Sequence, residues 1–119
     1  MPAPLPYSPA VRAGDWLVVS GQIGQRDGAL VAGGFAAQLD QALANLAAVL
    51  EAHGAARTDV VKCTVFLTDM ADFDALNAGY AAFFGDHRPA RSAVAVAALP
   101  RGAAVEIEAW CYRPATGSV

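Results

Sequence analysis

Charge is scarce in this chain, and basic charge scarcer: 8 Lys and Arg stand against 11 Asp and Glu in 119 residues, for a formal charge of −3. The basic residues are scattered, so no stripe exists that would neutralise several phosphates at once, and nucleic acid is disfavoured as a partner. No run approaches the ~18 continuous apolar residues of a membrane span, and the Pro-rich start, Met1 to Tyr7, lacks the basic and then apolar order of a secretory signal. A cytoplasmic, membrane-free protein is the expectation. Cysteine is limited to Cys63 and Cys111. Both sit in apolar strand-like runs and read as reduced core residues rather than a disulfide. The only histidines, His53 and His87, have no Cys, His or carboxylate at metal-ligand spacing, so no metal site is expected. His53 instead falls where a helix C-terminus would favour it. Ser8, Ser20 and Ser92 lie outside any Gly-x-Ser-x-Gly, and Gly21-Gln22-Ile23-Gly24 is neither a phosphate loop nor a dinucleotide fingerprint. What remains is chemistry that needs no metal, cofactor or covalent nucleophile.

What the chain does have is apolar surface. Hydrophobic residues make up 55% and mean hydropathy is +0.35; much of the excess is alanine, and the rest hints at subunit contact. The length suits one domain, 1–119, with loose ends at 1–5 and 114–119. Ala10–Arg12, a turn at Ala13-Gly14-Asp15 and Trp16–Ser20 read as an opening hairpin, followed by a turn at Asp27-Gly28. Gly33-Gly34 breaks the chain before a helix from Phe35 to His53, in which Leu39, Leu43, Leu46 and Leu50 form one face. Gly54 stands at its C-terminal cap. Val60–Leu67 is a strand with a partly polar face. Phe73, Leu76, Tyr80 and Phe83 mark a second helix that ends near Gly85. Ala93–Leu99 and Ala103–Tyr112, separated by Pro100-Arg101-Gly102, read as two buried strands in a hairpin-like layout. The order predicts an α+β fold, a sheet with two crossover helices packed on one face. No third helix exists to cover the other face, and oligomerisation is one way to do so.

Two charges stand out in the second half. Arg91 follows Pro89, whose fixed φ stiffens the strand entry, and its planar fork suits a small carboxylate. On spacing alone an exposed ion pair with Glu106, Glu108 or Asp86 is the plainer reading, and a ligand contact the other. Glu106 and Glu108, two apart on one strand, face the same side as Trp110 and Tyr112, while Val105, Ile107, Ala109 and Cys111 take the opposite side. They form either a solvated strand face or, beside an Arg, a carboxylate able to orient a water.

Taken together, Pro6-Tyr7-Ser8, Val19-Ser20-Gly21-Gln22-Ile23, Asp59–Lys62, Thr64–Met70, Asn77-Ala78-Gly79-Tyr80, Pro89-Ala90-Arg91-Ser92, Ala97–Pro100 and Val105–Ala109 resemble the RidA (YjgF) family of 2-iminoacid deaminases, in collinear order over nearly the whole chain. The resemblance implies a chorismate-mutase-like fold assembled as a homotrimer, with sheets lining a central barrel and active sites in clefts between subunits. It implies hydrolysis of reactive 2-imino acids or their enamines, such as 2-iminobutanoate and 2-iminopropanoate, to 2-oxo acids and ammonia, without a cofactor. Carried over residue by residue, Arg91 takes the substrate carboxylate and Glu106 positions water. Tyr7, Ser20, Gly21 and Asn77 line the pocket. Ala93 stands where many members have Cys, and Pro9 where many have Gln. The first is expected to alter pocket shape or oxidative sensitivity rather than abolish turnover. A non-catalytic carboxylate-binding or chaperone-like trimer is the alternative, and endoribonuclease activity, also attached to the family, is a poorer match to the acidic balance.

Overall fold

The computed structural model describes residues 4–114; the parts of the expected loose ends at 1–3 and 115–119 lie outside the described residues. Strand β1 (Ala10–Ala13) turns through Gly14 (φ 62°) into β2 (Trp16–Ile23). Two short strands follow, β3 (Gln25–Arg26) and β4 (Ala29–Leu30), where one had been expected. Asp27 (φ 55°) and Gly28 (φ 84°) both take the positive φ that a two-residue hairpin turn requires. Helix α1 (Gly34–Ala52) buries Leu39, Leu43, Leu46 and Leu50, the stripe legible in the sequence. It ends at His53 with Gly54 N–H on Glu51 O (3.1 Å) and Ala55 N–H on Leu50 O (2.9 Å), the paired bonds of a glycine-closed helix end. Strand β5 (Val60–Leu67), helix α2 (Phe73–Phe84), β6 (Ala90–Ala95) and β7 (Val105–Tyr112) complete the chain.

The main sheet runs β1-β2-β7-β5-β6. Both helices pack on one face, over wholly buried Leu17, Val19, Cys63, Val65, Leu67, Ile107, Ala109 and Cys111. Both cysteines are free and buried, as expected.

The expected hairpin of the last two strands does not form. β6 pairs parallel with β5, Cys63 opposite Arg91, while β7 pairs antiparallel with the other edge of β5. The cause is burial. Val105, Ile107, Ala109 and Cys111 are fully buried, which suits a central strand, whereas no β6 residue is. α2 therefore returns the chain to the outer edge of β5, and residues 96–104 cross the end of that strand. Val96 N–H to Leu67 O (2.8 Å) and Ala104 O from Thr68 N–H (3.3 Å) fasten the crossing.

The sheet face away from the helices carries Val11, Val94, Trp16, Trp110 and Tyr112, all substantially exposed. Trp16 meets Trp110 and Tyr112 edge-on, with ring centroids 6.2 and 5.2 Å apart. The three rings form one contiguous exposed aromatic cluster on this face.

Candidate functional site

Arg91 lies on the helix-covered face of edge strand β6, since its register partner is buried Cys63. Its Nη2 donates to Asn77 Oδ1 at 2.8 Å. The guanidinium sits 4.8 Å from the Tyr80 ring centroid and 5.6 Å from that of Phe73. Phe73, Asn77 and Tyr80 are spaced i, i+4, i+7, so α2 presents all three on one face. The ion pairs weighed for Arg91, with Glu106, Glu108 or Asp86, are not formed; among the described residues its partner is a neutral amide. Ala93, opposite buried Val65, shares the Arg91 face and packs on the core. A cavity of about 320 Å³ opens beside Arg91 and includes Asn77, Tyr80, His87 and Arg88 in its walls. The groove between α1 and α2, lined by Asp40, Arg57 and Phe83, contains none of the expected residues except the neighbourhood of α2 itself.

The Tyr80 hydroxyl is buried beside the Cys63 thiol and has no hydrogen-bond partner of normal geometry among the described residues. Burial, and then the thiol, hold the phenol well above its usual range. The Cys63 thiol is likewise raised by burial, against the opposing pull of Tyr80 and Arg91.

Glu106 stands elsewhere. It is opposite Phe66 on β5 and belongs to the helix-free face. Burial first, and the charge of Glu108 second, raise its carboxyl above the ordinary range. Register along β2 slips by one residue between Val19 and Gln22, so Ser20 and Gly21 form a bulge against β7. A Cβ built on Gly21 would meet the Glu106 carboxyl, 2.7 Å from its Cδ. Ser20 Oγ donates to Ser8 O at 2.6 Å, and Ser20 N–H donates to Pro9 O at 2.9 Å. Ser20 thus ties down the segment that carries exposed Tyr7.

The expected residues therefore fall into two groups. Arg91 and Ala93 lie under α2, which itself carries Asn77; Glu106, Gly21 and Ser20, with the Tyr7 segment, lie on the open face. Between Arg91 and Glu106 are two interstrand spacings, ~10 Å, and the thickness of the sheet.

Sequence reasoning took Phe73 and Tyr80 only as core positions, although their spacing about Asn77 was visible. It also passed over Gln38 and Asn45 on α1. Gln38 Oε1 accepts from Ala104 N–H (2.8 Å) just before β7, and Asn45 Nδ2 donates to Ile23 O (3.0 Å) and Gln25 O (2.9 Å). Polar residues beside a leucine stripe were the signal for both.

Residues 1–112 match the family described as Endoribonuclease L-PSP. The human 2-iminobutanoate/2-iminopropanoate deaminase is 47% identical over 106 residues, spanning 87% of this chain and 77% of the human one. The chain belongs to the RidA/YjgF family. A RutC family protein of Pyrococcus horikoshii is 45% identical over 115 residues, 94% of this chain and 91% of its own. Among solved structures, RidA from the Antarctic bacterium Psychrobacter superposes with a TM-score of 0.88 at 44% identity, covering 93% of this chain and 91% of that one. The Escherichia coli YjgF gene product gives 0.85 at 44% identity, over 91% and 88%. The mixed α+β fold, one sheet with two helices on a single face, is thus a RidA fold.

Proposed function

We propose that this RidA-family chain hydrolyses reactive 2-imino acids and their enamine tautomers to 2-oxo acids and ammonia, in a site shared between copies of a homotrimer. The observation that carries the reading is Arg91: a guanidinium on a strand, braced by Asn77, flanked by two aromatic rings and paired with no carboxylate among the described residues. Such a group is set to take a carboxylate from outside the chain. That the human and mouse relatives are named 2-iminobutanoate/2-iminopropanoate deaminases supports an imino acid as the owner of that carboxylate.

An imine carbon is already electrophilic, so orientation and a placed water suffice. With the substrate carboxylate on Arg91, water attacks the C2 carbon and the C=N electron pair moves to nitrogen, which is protonated. In the resulting carbinolamine the hydroxyl proton passes by way of the Glu106 carboxylate to the amino nitrogen, the C–N bond breaks and ammonia leaves as C=O forms. Glu106 in its ionised form orients the attacking water and takes its proton. Because Arg91 and Glu106 of one chain occupy opposite sheet faces, the Glu106 in question comes from a neighbouring copy, and the aromatic open face supplies the contact. Ribonuclease activity, the property in the family's description, is disfavoured by a net charge of −3.

The test is 2-oxobutanoate formation in a threonine dehydratase reaction with semicarbazide competing for the imine. Added protein is expected to divert imine to 2-oxobutanoate. Equal diversion by wild type and Arg91→Ala would contradict the proposal.

A further inference from the structure

We propose that Gly21 is a positioning residue for Glu106: its missing side chain is the seat of the Glu106 carboxyl, and the residue acts on the reaction through that carboxyl rather than by touching substrate. The inference rests on the reading of Glu106 given above and extends it to a residue whose expected role was pocket lining.

Glycine is used in proteins for backbone freedom or for space, and the two leave different marks. Among the described residues seven glycines have positive φ, where any side chain would be strained; Gly21 is not among them. Its backbone is one that alanine adopts. Space is the remaining reason, and the space is specific. The three heavy atoms nearest to a Cβ at this position all belong to the Glu106 side chain, with Cδ at 2.7 Å and Cγ at 3.0 Å. The closest approach is thus to the end of that one side chain.

The β2 bulge explains how the two meet. Without the extra residue Gly21 would stand in simple alternation, whereas the doubled Ser20-Gly21 step brings its Cα against the Glu106 side chain on the helix-free face. The seat is half-buried, which agrees with the raised pKa of the Glu106 carboxyl, caused by burial first and by the charge of Glu108 second. Across the strands that flank β7, the charged neighbours on this face are Glu108 on β7 itself and Lys62 on β5; β2 contributes none. A methyl at position 21 therefore acts on Glu106 by displacement, not by adding or removing charge.

The experiment uses Gly21→Ala, Glu106→Ala, Glu106→Asp and the doubles of Gly21→Ala with each. Thermal unfolding of the assembled protein gives the first readout. Because the atoms in the way are the end of a flexible side chain, Gly21→Ala is expected to lower the midpoint only slightly, and that loss is expected to vanish in the Glu106→Ala background, where the methyl has room. An undiminished loss in that background would overturn the inference, even if the single variant fails to fold. The second readout is carboxyl NMR titration of glutamate-labelled protein, where Glu51 and Glu108 are the only other signals to resolve. In Gly21→Ala the Glu106 midpoint is expected to fall toward the ordinary carboxyl range, and an unmoved midpoint would overturn the inference. In the imine assay, Gly21→Ala is expected to lower kcat ~10-fold or more with KM within about threefold, and the double with Glu106→Asp to be no slower than Glu106→Asp alone. Losses that multiply would contradict it. If no protein in the series hydrolyses the imine, the functional reading fails, and the unfolding and titration results still decide the role of Gly21.

Discussion

Arg91 and Glu106 stand on opposite faces of the same sheet, separated by strand β5. Arg91 is opposite Cys63 under α2, and Glu106 is opposite Phe66 on the side without helices. No rotamer of either side chain joins them around one small substrate within a single chain.

Arg91→Ala removes the carboxylate anchor. A charge-assisted bidentate contact contributes about 1.5–3 kcal/mol, so kcat/KM is expected to fall roughly 10- to 150-fold. The semicarbazide-competition assay measures the loss directly. Arg91→Lys is expected to recover little, because an ammonium cannot reproduce the planar fork.

Asn77→Ala leaves Arg91 charged and removes only its brace at 2.8 Å. The expected signature is a KM raised about tenfold, since a hydrogen bond from a charged guanidinium is worth about 1.5 kcal/mol or more and the anchor becomes less ordered without it. Steady-state kinetics with saturating imine supply would show kcat largely retained.

The raised Glu106 carboxyl gives opposite signs for activity and stability. Only the ionised form can orient and deprotonate water, so activity is expected to rise with pH through the elevated folded-state pKa, and Glu106→Gln to lose that rise along with most of its rate. Stability runs the other way. A carboxyl that folds with a raised pKa favours folding at low pH, and this contribution is lost as pH rises from the ordinary to the elevated value. Glu106→Gln is therefore expected to be more stable than wild type above that window and not below it, as read from denaturant midpoints across pH.

Tyr80→Phe deletes a buried hydroxyl that has no partner of normal geometry, and keeps the ring under Arg91. Stability is expected to stay within ~1 kcal/mol of wild type or to rise, because an unsatisfied buried donor costs free energy. Urea unfolding checks this.

Trp110→Glu places a charge on the exposed aromatic patch with Trp16 and Tyr112. Sedimentation is expected to show dissociation to monomers, with activity lost although Arg91 and Glu106 are intact.

Much of the fold was legible because its signals are local. The Leu39, Leu43, Leu46, Leu50 stripe, Gly54 at the helix end and Asp27-Gly28 in its turn all report short-range geometry. The placement of β6 was not, because whether two strands pair depends on what α2 delivers to the edge of β5, a long-range matter that alternation cannot encode. The site followed the same division. Spacing singled out Arg91 and Glu106 as charges among apolar runs, and the family resemblance gave them roles. Which sheet face each occupies follows only from pairing with β5. Gly21 shows the limit most clearly, since its neighbour Glu106 is far away in sequence and only the β2 bulge brings them together.

The central claim, that Arg91 of one copy works with Glu106 of another, is tested most directly by mixing. Arg91→Ala and Glu106→Gln, each strongly impaired alone, are to be unfolded together in equal amounts, reassembled and assayed for imine hydrolysis at low imine supply, where the separate losses are greatest. In a cyclic assembly an interface of the right order joins an intact Arg91 to an intact Glu106 in about a quarter of cases, so activity near that fraction of wild type is predicted. A mixture as inactive as its components, with mixed assemblies demonstrated by mass, would contradict the account.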